Sequence, residues 1–206
     1  MVTKAGQKCT AIRRIIVPEK LLDEVQKALT RELAKTVIGD PSAEGVRMGA
    51  LINRLQLSRV REKLALLAEK TPVVFGDIDT FDVVGAEREK GAFIPPVLLL
   101  NDRPFSKTLT HETECFGPVS TLMPYKSIDK AIELANMGKG SLVSTICTFD
   151  PKVMREYVLE AAAFHGRILI LNRTSAREST GHGSPMPLLV HGGPGHAGGG
   201  EEMGGM

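Results

Sequence analysis

The sequence predicts an α/β fold: a mostly parallel, twisted sheet with helices on both faces. Three observations support this prediction. Short runs rich in β-branched residues, such as residues 15–17, are typical of buried strands. Longer stretches place apolar residues every three or four positions, as in Leu22, Val25 and Leu29, which is the pattern of an amphipathic helix. The two kinds of stretch alternate along the chain, and that order is typical of a parallel sheet with crossover helices.

Each element of the first half is predicted from a local signal. The β-branched run predicts a strand over residues 13–17, and Pro18 suits the first turn of the next helix, which leaves its N–H groups unpaired. That helix is expected to reach about Val37. Pro95 and Pro96 favour an edge strand or an extended loop within the apolar residues 93–100. Between the first helix and residues 93–100, a second helix is predicted at residues 53–69 and a short strand at residues 72–75.

The second half repeats the alternation. Ser127 is a good N-cap residue, and Pro151 after Asp150 marks the start of a further helix. The predicted elements are a strand at residues 119–124, a helix at 127–137, a strand at 142–149, a helix at 150–164 and a strand at 168–171.

Composition excludes several classes of protein. The chain has 206 residues, enough for one large domain or two small ones, and 42% of them are hydrophobic. A net charge of +2 with no Trp gives no case for nucleic-acid binding. No apolar stretch is long enough to span a bilayer, and no secretory signal is predicted. Three widely spaced cysteines fit neither a disulfide framework nor a zinc site, so a reducing, cytoplasmic setting is expected.

Cys9 is the first candidate for chemistry. It follows Gly6-Gln7-Lys8 and stands just before the first predicted strand, a place that can hold a thiol rigidly and still open to substrate. A thiol attacks carbonyl carbons as the thiolate, and Lys4 and Lys8 put positive charge nearby. The alternative is a buried, inert cysteine.

The second candidate is the stretch from Glu114 to Val119. It places a carboxylate two residues before the aromatic Phe116, on a loop closed by Gly117-Pro118. A carboxylate can accept hydrogen bonds from both hydroxyls of a ribose, and an aromatic ring can pack on a flat heterocycle. The alternative is an ordinary surface loop with a core phenylalanine.

The last residues change in composition. Residues 191–206 include eight glycines, which is typical of a flexible tail. His191 and His196 could suggest a metal site, but this context fixes no geometry, so solvated histidines are expected. No metal is predicted.

Taken together, Gly6-Gln7-Lys8-Cys9-Thr10 and Glu114-Cys115-Phe116-Gly117-Pro118-Val119 resemble the catalytic domain of the aldehyde dehydrogenase superfamily. Further agreement comes from Gly39-Asp40-Pro41, and from Gly49-Ala50-Leu51-Ile52, where Ala50 replaces the family's proline. The order of these stretches covers nearly the whole chain. Within the family, residues 4–14 and 178–187 are most similar to the dehydrogenase domain of the bifunctional phenylacetate-degradation protein, with benzoate-pathway semialdehyde dehydrogenases second.

The resemblance implies a role for each candidate. Cys9 would attack an aldehyde, CoA-linked in the nearest relatives, to give a thiohemiacetal and then a thioester, with hydride passing to NAD or NADP. Glu114 would hold the ribose of the nicotinamide, and Phe116 would pack near its ring. Gln56 would add a second ribose contact, although a solvated helix face remains the alternative. No role falls to the other two cysteines, and Cys147 is expected in the core of a strand.

The resemblance also implies what lies elsewhere. The family's general base and oxyanion asparagine belong to a nucleotide-binding domain upstream of the cysteine, so residues 1–206 are predicted to be one catalytic domain of a longer homo-oligomeric enzyme, inactive alone. Glu112 is therefore rejected as the base. An acylating enzyme and a non-catalytic module remain alternatives. Arg173, Arg177 and His182 could meet an anionic CoA group or form a solvated loop.

Overall fold

Residues 1–179, 181 and 191–198 are described by the computed structural model of the chain. They fall into two units, Met1–Tyr125 and Lys126–Met206. The described residues contain four strand pairings, three in the first unit and one in the second; three of the four are parallel and one is antiparallel. The prediction of a mostly parallel α/β fold is thereby confirmed.

The first unit is built on a four-stranded sheet. Its strand order is β1-β4-β3-β2, and β4 pairs in parallel with both β1 and β3, while β2 is an antiparallel edge strand. The elements are β1 (Arg14–Pro18), α1 (Leu22–Leu33), α2 (Arg54–Ala68), β2 (Val73–Phe75), β3 (Val97–Leu100), α3 (Leu109–Glu112) and β4 (Val119–Tyr125).

The central strand β3 shows how the two faces of this sheet are covered. Val97 and Leu99 pack in one apolar cluster together with Val60 of α2. Leu98, which points to the opposite face because side chains alternate along a strand, packs in a second cluster with Leu33 of α1. The two helices therefore cover opposite faces, as predicted.

The prediction of an edge strand or loop at residues 93–100 is wrong for its second half. Strand β3 is internal, and Val97, Leu98 and Leu99 are fully buried. Pro95 and Pro96 precede the paired segment, so their missing N–H groups remove no hydrogen bond from the sheet. Likewise α1 ends at Leu33, earlier than expected.

The second unit contains a parallel pair of strands and two helices. Asp150 accepts a hydrogen bond from Lys152 N (2.8 Å) at the start of the second helix, with Pro151 in its first turn as predicted. The elements are α4 (Ile128–Asn136), β5 (Ser141–Cys147), α5 (Pro151–Ala161) and β6 (His165–Leu171), with Ser141 opposite His165 and Cys147 opposite Leu171.

Two predictions in this unit are wrong. Cys147 is exposed because it is the last residue of β5, whose six preceding residues are all half-buried. Residues 191–198 are not a tail: His196 N donates to Lys139 O (3.0 Å), and His191 is buried with Nδ1 3.3 Å from a guanidinium nitrogen of Arg167. His196 is exposed, as expected. Residues 191–198 differ from the predicted tail because their glycines pack closely on strand β6, which composition does not reveal. At Gly166, for example, a Cβ would overlap Gly192 O.

Candidate active site

The two candidate loops lead into neighbouring parallel strands. The cysteine loop, residues 4–10, precedes β1, and the glutamate loop, residues 113–118, precedes β4. These strands are parallel and Arg14 lies opposite Thr121, so both loops enter the sheet at the amino-terminal ends of neighbouring strands. Two hydrogen bonds close the junction: Ser120 Oγ donates to Ile12 O (2.6 Å), and Thr121 N donates to Arg13 O (2.9 Å).

The loops touch at two glycines. A Cβ added to Gly6 would overlap the carbonyl group of Gly117 and lie 2.6 Å from Pro118 N. Gly6 also has φ +71, a conformation that glycine adopts without steric cost. Only glycine at this position allows the backbone of the cysteine loop to rest on that of the glutamate loop.

The cysteine loop is held in a strained backbone conformation. Lys4 (φ 52) and Ala5 (φ 51) are left-handed although neither is glycine, and each such residue costs about 1 kcal/mol. Buried packing offsets this strain: Ala5 is 2% exposed and belongs to the same apolar cluster as Cys115. The turn leaves the Cys9 thiol exposed at the surface of this loop.

Helix α2 forms the third side of the site. Gln7 Oε1 accepts a hydrogen bond from Ile52 N (2.8 Å), which ties the cysteine loop to the segment before this helix. The side chain of Asn53 caps the helix by accepting from Gln56 N (2.9 Å). One turn beyond Gln56, the two methyl groups of Val60 would lie 2.9 Å from a Cβ on Gly117, so this helix face meets the glutamate loop.

The glutamate loop alternates exposed and buried side chains. Glu114 and Phe116 are exposed, and Phe116 has φ 51 with 41% of its surface accessible. Cys115, between them, points into the core, and burial raises the pKa of its thiol to about 11. Cys115 is therefore protonated near neutral pH and closed to substrate, which leaves Cys9 as the accessible thiol of this unit.

The exposed groups of the glutamate loop suit a nucleoside. An exposed carboxylate at Glu114 can accept hydrogen bonds from two ribose hydroxyls, and the exposed ring of Phe116 can pack on a flat heterocycle. The strained backbone of Phe116 supports this reading, because residues held in rare conformations concentrate at functional sites. Gln56 is half-buried, one turn before Val60 on the helix face that meets the loop.

Other candidates are not brought to this site by any described contact. Glu112 is exposed at the end of α3. Arg173 and Arg177 are exposed in the second unit, and His182 lies outside the described residues.

A cleft of about 520 Å³ in the first unit, lined by Phe75, Phe81, Pro95 and others, includes no residue of the two loops. Within the described part of the chain, no cluster of His, Cys, Asp and Glu could hold a metal ion, and no helix is long and apolar enough to cross a membrane.

His111 of α3 forms a further link, to the start of β1, that the sequence did not reveal. Its carbonyl oxygen accepts from Arg13 (3.3 Å), and its ring Nδ1 lies 3.1 Å from a guanidinium nitrogen of Arg14. Arg14 can only donate, so Nδ1 accepts, and Nε2 carries the proton that is donated to Pro104 O (2.9 Å). The buried imidazole is therefore held neutral.

We expect this link to weaken in mild acid. Burial lowers the pKa of His111, and the charges of Arg14 and Arg13 lower it further, against an opposing effect of the Pro104 hydrogen bond. A depressed histidine pKa means that the unfolded chain binds the proton more readily, so its contribution to stability is complete above about pH 6.5 and is lost as the pH falls from there toward the folded pKa. Urea unfolding at a series of pH values between about 7.5 and 5 measures the loss.

The variant His111→Gln isolates this contribution, because glutamine has no proton to gain in that range. The free energy of unfolding of His111→Gln should fall less with decreasing pH than that of the parent chain, whereas His196→Gln, at an exposed histidine, should follow the parent. Equal slopes for all three proteins would contradict the link.

Comparison with known proteins identifies a relationship along the whole chain. The sequence profile of the aldehyde dehydrogenase family matches residues 1–204. A 3,4-dehydroadipyl-CoA semialdehyde dehydrogenase from Aromatoleum evansii is 39% identical over 194 residues, which cover 94% of this chain and 38% of that protein. Protein MaoC from Klebsiella aerogenes is 49% identical over 160 residues, which cover 77% of this chain and 46% of that protein. The chain thus spans less than half the length of these relatives.

Solved structures share the fold. A 3,6-anhydro-L-galactose dehydrogenase in complex with NAP superimposes with a TM-score of 0.77 at 27% identity, covering 92% of this chain and 36% of that one. An aldehyde dehydrogenase C mutant from Pseudomonas syringae, in complex with NAD+ and octanal, gives a TM-score of 0.77 at 26% identity over 95% of this chain and 37% of that one.

Proposed function

The chain belongs to the aldehyde dehydrogenase family, and we propose that it supplies the nucleophilic thiol, Cys9, of an NAD(P)-dependent aldehyde dehydrogenase. The contact between Gly6 and Gly117 carries this proposal. It brings the loop of an exposed cysteine against the loop of an exposed glutamate and an exposed phenylalanine, so a thiol and the carboxylate proposed to bind the ribose are on adjoining segments.

In the proposed mechanism the Cys9 thiolate adds to the carbonyl carbon of the aldehyde to give a thiohemiacetal. The backbone N–H of Cys9 is a suitable donor for the oxygen that becomes negative in this step, and one such donor is worth about 3 kcal/mol in other enzymes. A bound nicotinamide cofactor would supply the hydride acceptor that conversion of the Cys9 thiohemiacetal into a thioester requires. Water then cleaves the thioester, which releases the acid and restores the thiol of Cys9.

Three residues would hold the nicotinamide half of the cofactor. Glu114 would accept hydrogen bonds from the ribose hydroxyls, Gln56 would contribute a second polar contact, and Phe116 would cover the ring. Their support is that the glutamate loop is packed against the helix face of Gln56 through Val60 and Gly117. The choice between NAD and NADP depends on the other end of the cofactor.

We propose a CoA-thioester semialdehyde of aromatic-acid degradation as the substrate. The support for a CoA-linked semialdehyde is the Aromatoleum evansii relative, a 3,4-dehydroadipyl-CoA semialdehyde dehydrogenase that is 39% identical to this chain. Measuring the product distinguishes oxidation from acyl transfer: the proposal predicts the free acid, and an additional acyl-CoA product would instead identify an acylating enzyme.

The proposed unit of activity is longer than this chain. Relatives extend well beyond the matched region, so we propose that residues 1–206 act as the catalytic domain of a cytoplasmic, homo-oligomeric enzyme whose nucleotide-binding domain provides the general base. The expected result is that residues 1–206 alone do not reduce NAD or NADP with an aldehyde, while the complete enzyme does. Turnover by residues 1–206 alone would contradict this division of roles.

The substitution Glu114→Gln tests the cofactor site in the complete enzyme. Removing the negative charge weakens the hydrogen bonds to the ribose, so we expect hydride transfer to slow by about tenfold or more, consistent with the loss of charge-assisted hydrogen bonds. The thermal unfolding midpoint should stay close to that of the parent because Glu114 is exposed. Glu112→Gln, two residues earlier and also exposed, is the matched control and should retain full activity; equal rates for both variants would exclude the ribose role.

A further inference from the structure

Lys63 lies where it can set the position of the proposed ribose-binding glutamate. It stands on α2, seven residues after Gln56 and three after Val60, so all three lie along the helix face that meets the glutamate loop. Its ammonium nitrogen donates a hydrogen bond to the backbone carbonyl oxygen of Glu114 at 2.7 Å, across 51 residues of sequence.

The remainder of the glutamate loop is anchored on either side of this bond. Thr113 N donates to Leu109 O (2.9 Å), which holds the loop to α3. At the other end, Gly117 is confined between Gly6 and Val60. The Lys63 hydrogen bond fixes the peptide between these two anchors, and that peptide carries Glu114.

The charge of Lys63 also acts on the same peptide. Its ammonium group is close enough to the Cys115 thiol to oppose the effect of burial on the pKa of that thiol. A hydrogen bond from a charged donor is stronger than a neutral one, and lysine places the donor at the end of a long stem that no shorter side chain at this position of the helix could replace.

We propose that Lys63 is a positioning residue for the cofactor: by holding the Glu114 carbonyl, it fixes the direction of the Glu114 carboxylate toward the nicotinamide ribose. This inference rests on the proposed function, and it adds a residue that touches neither aldehyde nor cofactor. Small displacements of a positioning group have large effects, since a shift of about 1 Å can slow a reaction by up to roughly a hundredfold.

The test uses Lys63→Met, which keeps an unbranched side chain out to Cε and removes the donor. Amide hydrogen exchange of residues 113–117 needs no bound cofactor and is measured on the complete enzyme by mass spectrometry. We expect exchange in the glutamate loop to be about tenfold faster in Lys63→Met. Lys63→Arg, which keeps a charged donor, should restore slow exchange.

Arg61→Met is the matched control. Arg61 lies on the same helix and also donates to a loop carbonyl, that of Ile78 (3.2 Å), but this loop is not part of the site. In the complete enzyme, calorimetric titration should show cofactor affinity reduced about tenfold in Lys63→Met and unchanged in Arg61→Met, with both proteins folded at the assay temperature.

The outcomes separate this inference from the function it rests on. If Glu114→Gln weakens cofactor binding and Lys63→Met changes neither binding nor exchange, the positioning role is wrong and the ribose role stands. If Lys63→Met speeds exchange but leaves cofactor affinity intact, Lys63 is only structural and the inference is overturned. If Glu114→Gln binds cofactor as tightly as the parent does, the ribose-binding role of Glu114 in the proposed function is wrong.

Discussion

Replacing Cys9 with alanine should abolish aldehyde oxidation in the complete enzyme, with a fall of at least about four orders of magnitude in turnover, because a methyl group cannot form the covalent intermediate. Cys115 cannot substitute for it. That thiol is buried, and its raised pKa of about 11 keeps it protonated. Steady-state turnover with a CoA-linked semialdehyde measures the effect.

The cysteine at the end of β5 offers the matched control. Cys147 is also exposed, so Cys147→Ala removes an accessible thiol of the same kind and should leave turnover unchanged. Cofactor affinity should be unaffected in Cys9→Ala, since the proposed ribose contacts come from the glutamate loop and α2. Retained turnover in Cys9→Ala would remove this residue as the nucleophile.

Replacing Gly6 with alanine should separate the two loops. The added methyl group would overlap the Gly117 carbonyl and lie 2.6 Å from Pro118 N, and backbone rather than a flexible side chain must move to admit it. We expect the free energy of unfolding to fall by about 1–3 kcal/mol, as for other overpacked sites. Turnover should fall by about a hundredfold, because a displacement near 1 Å between reacting groups has that effect.

Gly45→Ala controls for backbone strain alone. Gly45 has φ +81, close to the φ of Gly6, but no atom lies within 4 Å of the position that a Cβ would take. The penalty for an alanine in the left-handed conformation is therefore present in both variants, whereas steric overlap with the glutamate loop is present only in Gly6→Ala. Similar losses of activity in the two would show that contact between the loops is not required.

The sequence predicts most elements of this fold because their signals are local. Asp150-Pro151 marks the start of α5, and β-branched runs mark β1 and β5. The errors arise where distant packing decides. Val97 lies in an internal strand because β2 takes the edge, and His191 is buried because the glycines around it allow close packing against β5 and β6.

The candidate site follows the same division. Cys9 and the Glu114–Phe116 stretch are found through motifs, and the roles of these residues and of Gln56 stay predictions. The tertiary contacts around the site have no signal in the sequence. They join Gln7 to Ile52, Lys63 to Glu114 and His111 to Arg14, and the paired residues are 45 to 97 positions apart. A lysine on a helix or a histidine in a four-residue turn has no distinguishing pattern, since its partner is chosen by the tertiary fold.

The most direct test of the central claim is to locate the acyl group during turnover. The complete enzyme is mixed with aldehyde and oxidised cofactor, quenched with acid within one turnover and digested with trypsin at mildly acidic pH. Cleavage after lysine and arginine places Cys9, Cys115 and Cys147 in separate peptides, residues 9–13, 108–126 and 140–152. We predict that mass spectrometry finds the acyl group on residues 9–13 alone; an acyl group on another cysteine peptide, or product formation with residues 9–13 unmodified, would contradict the assignment of Cys9.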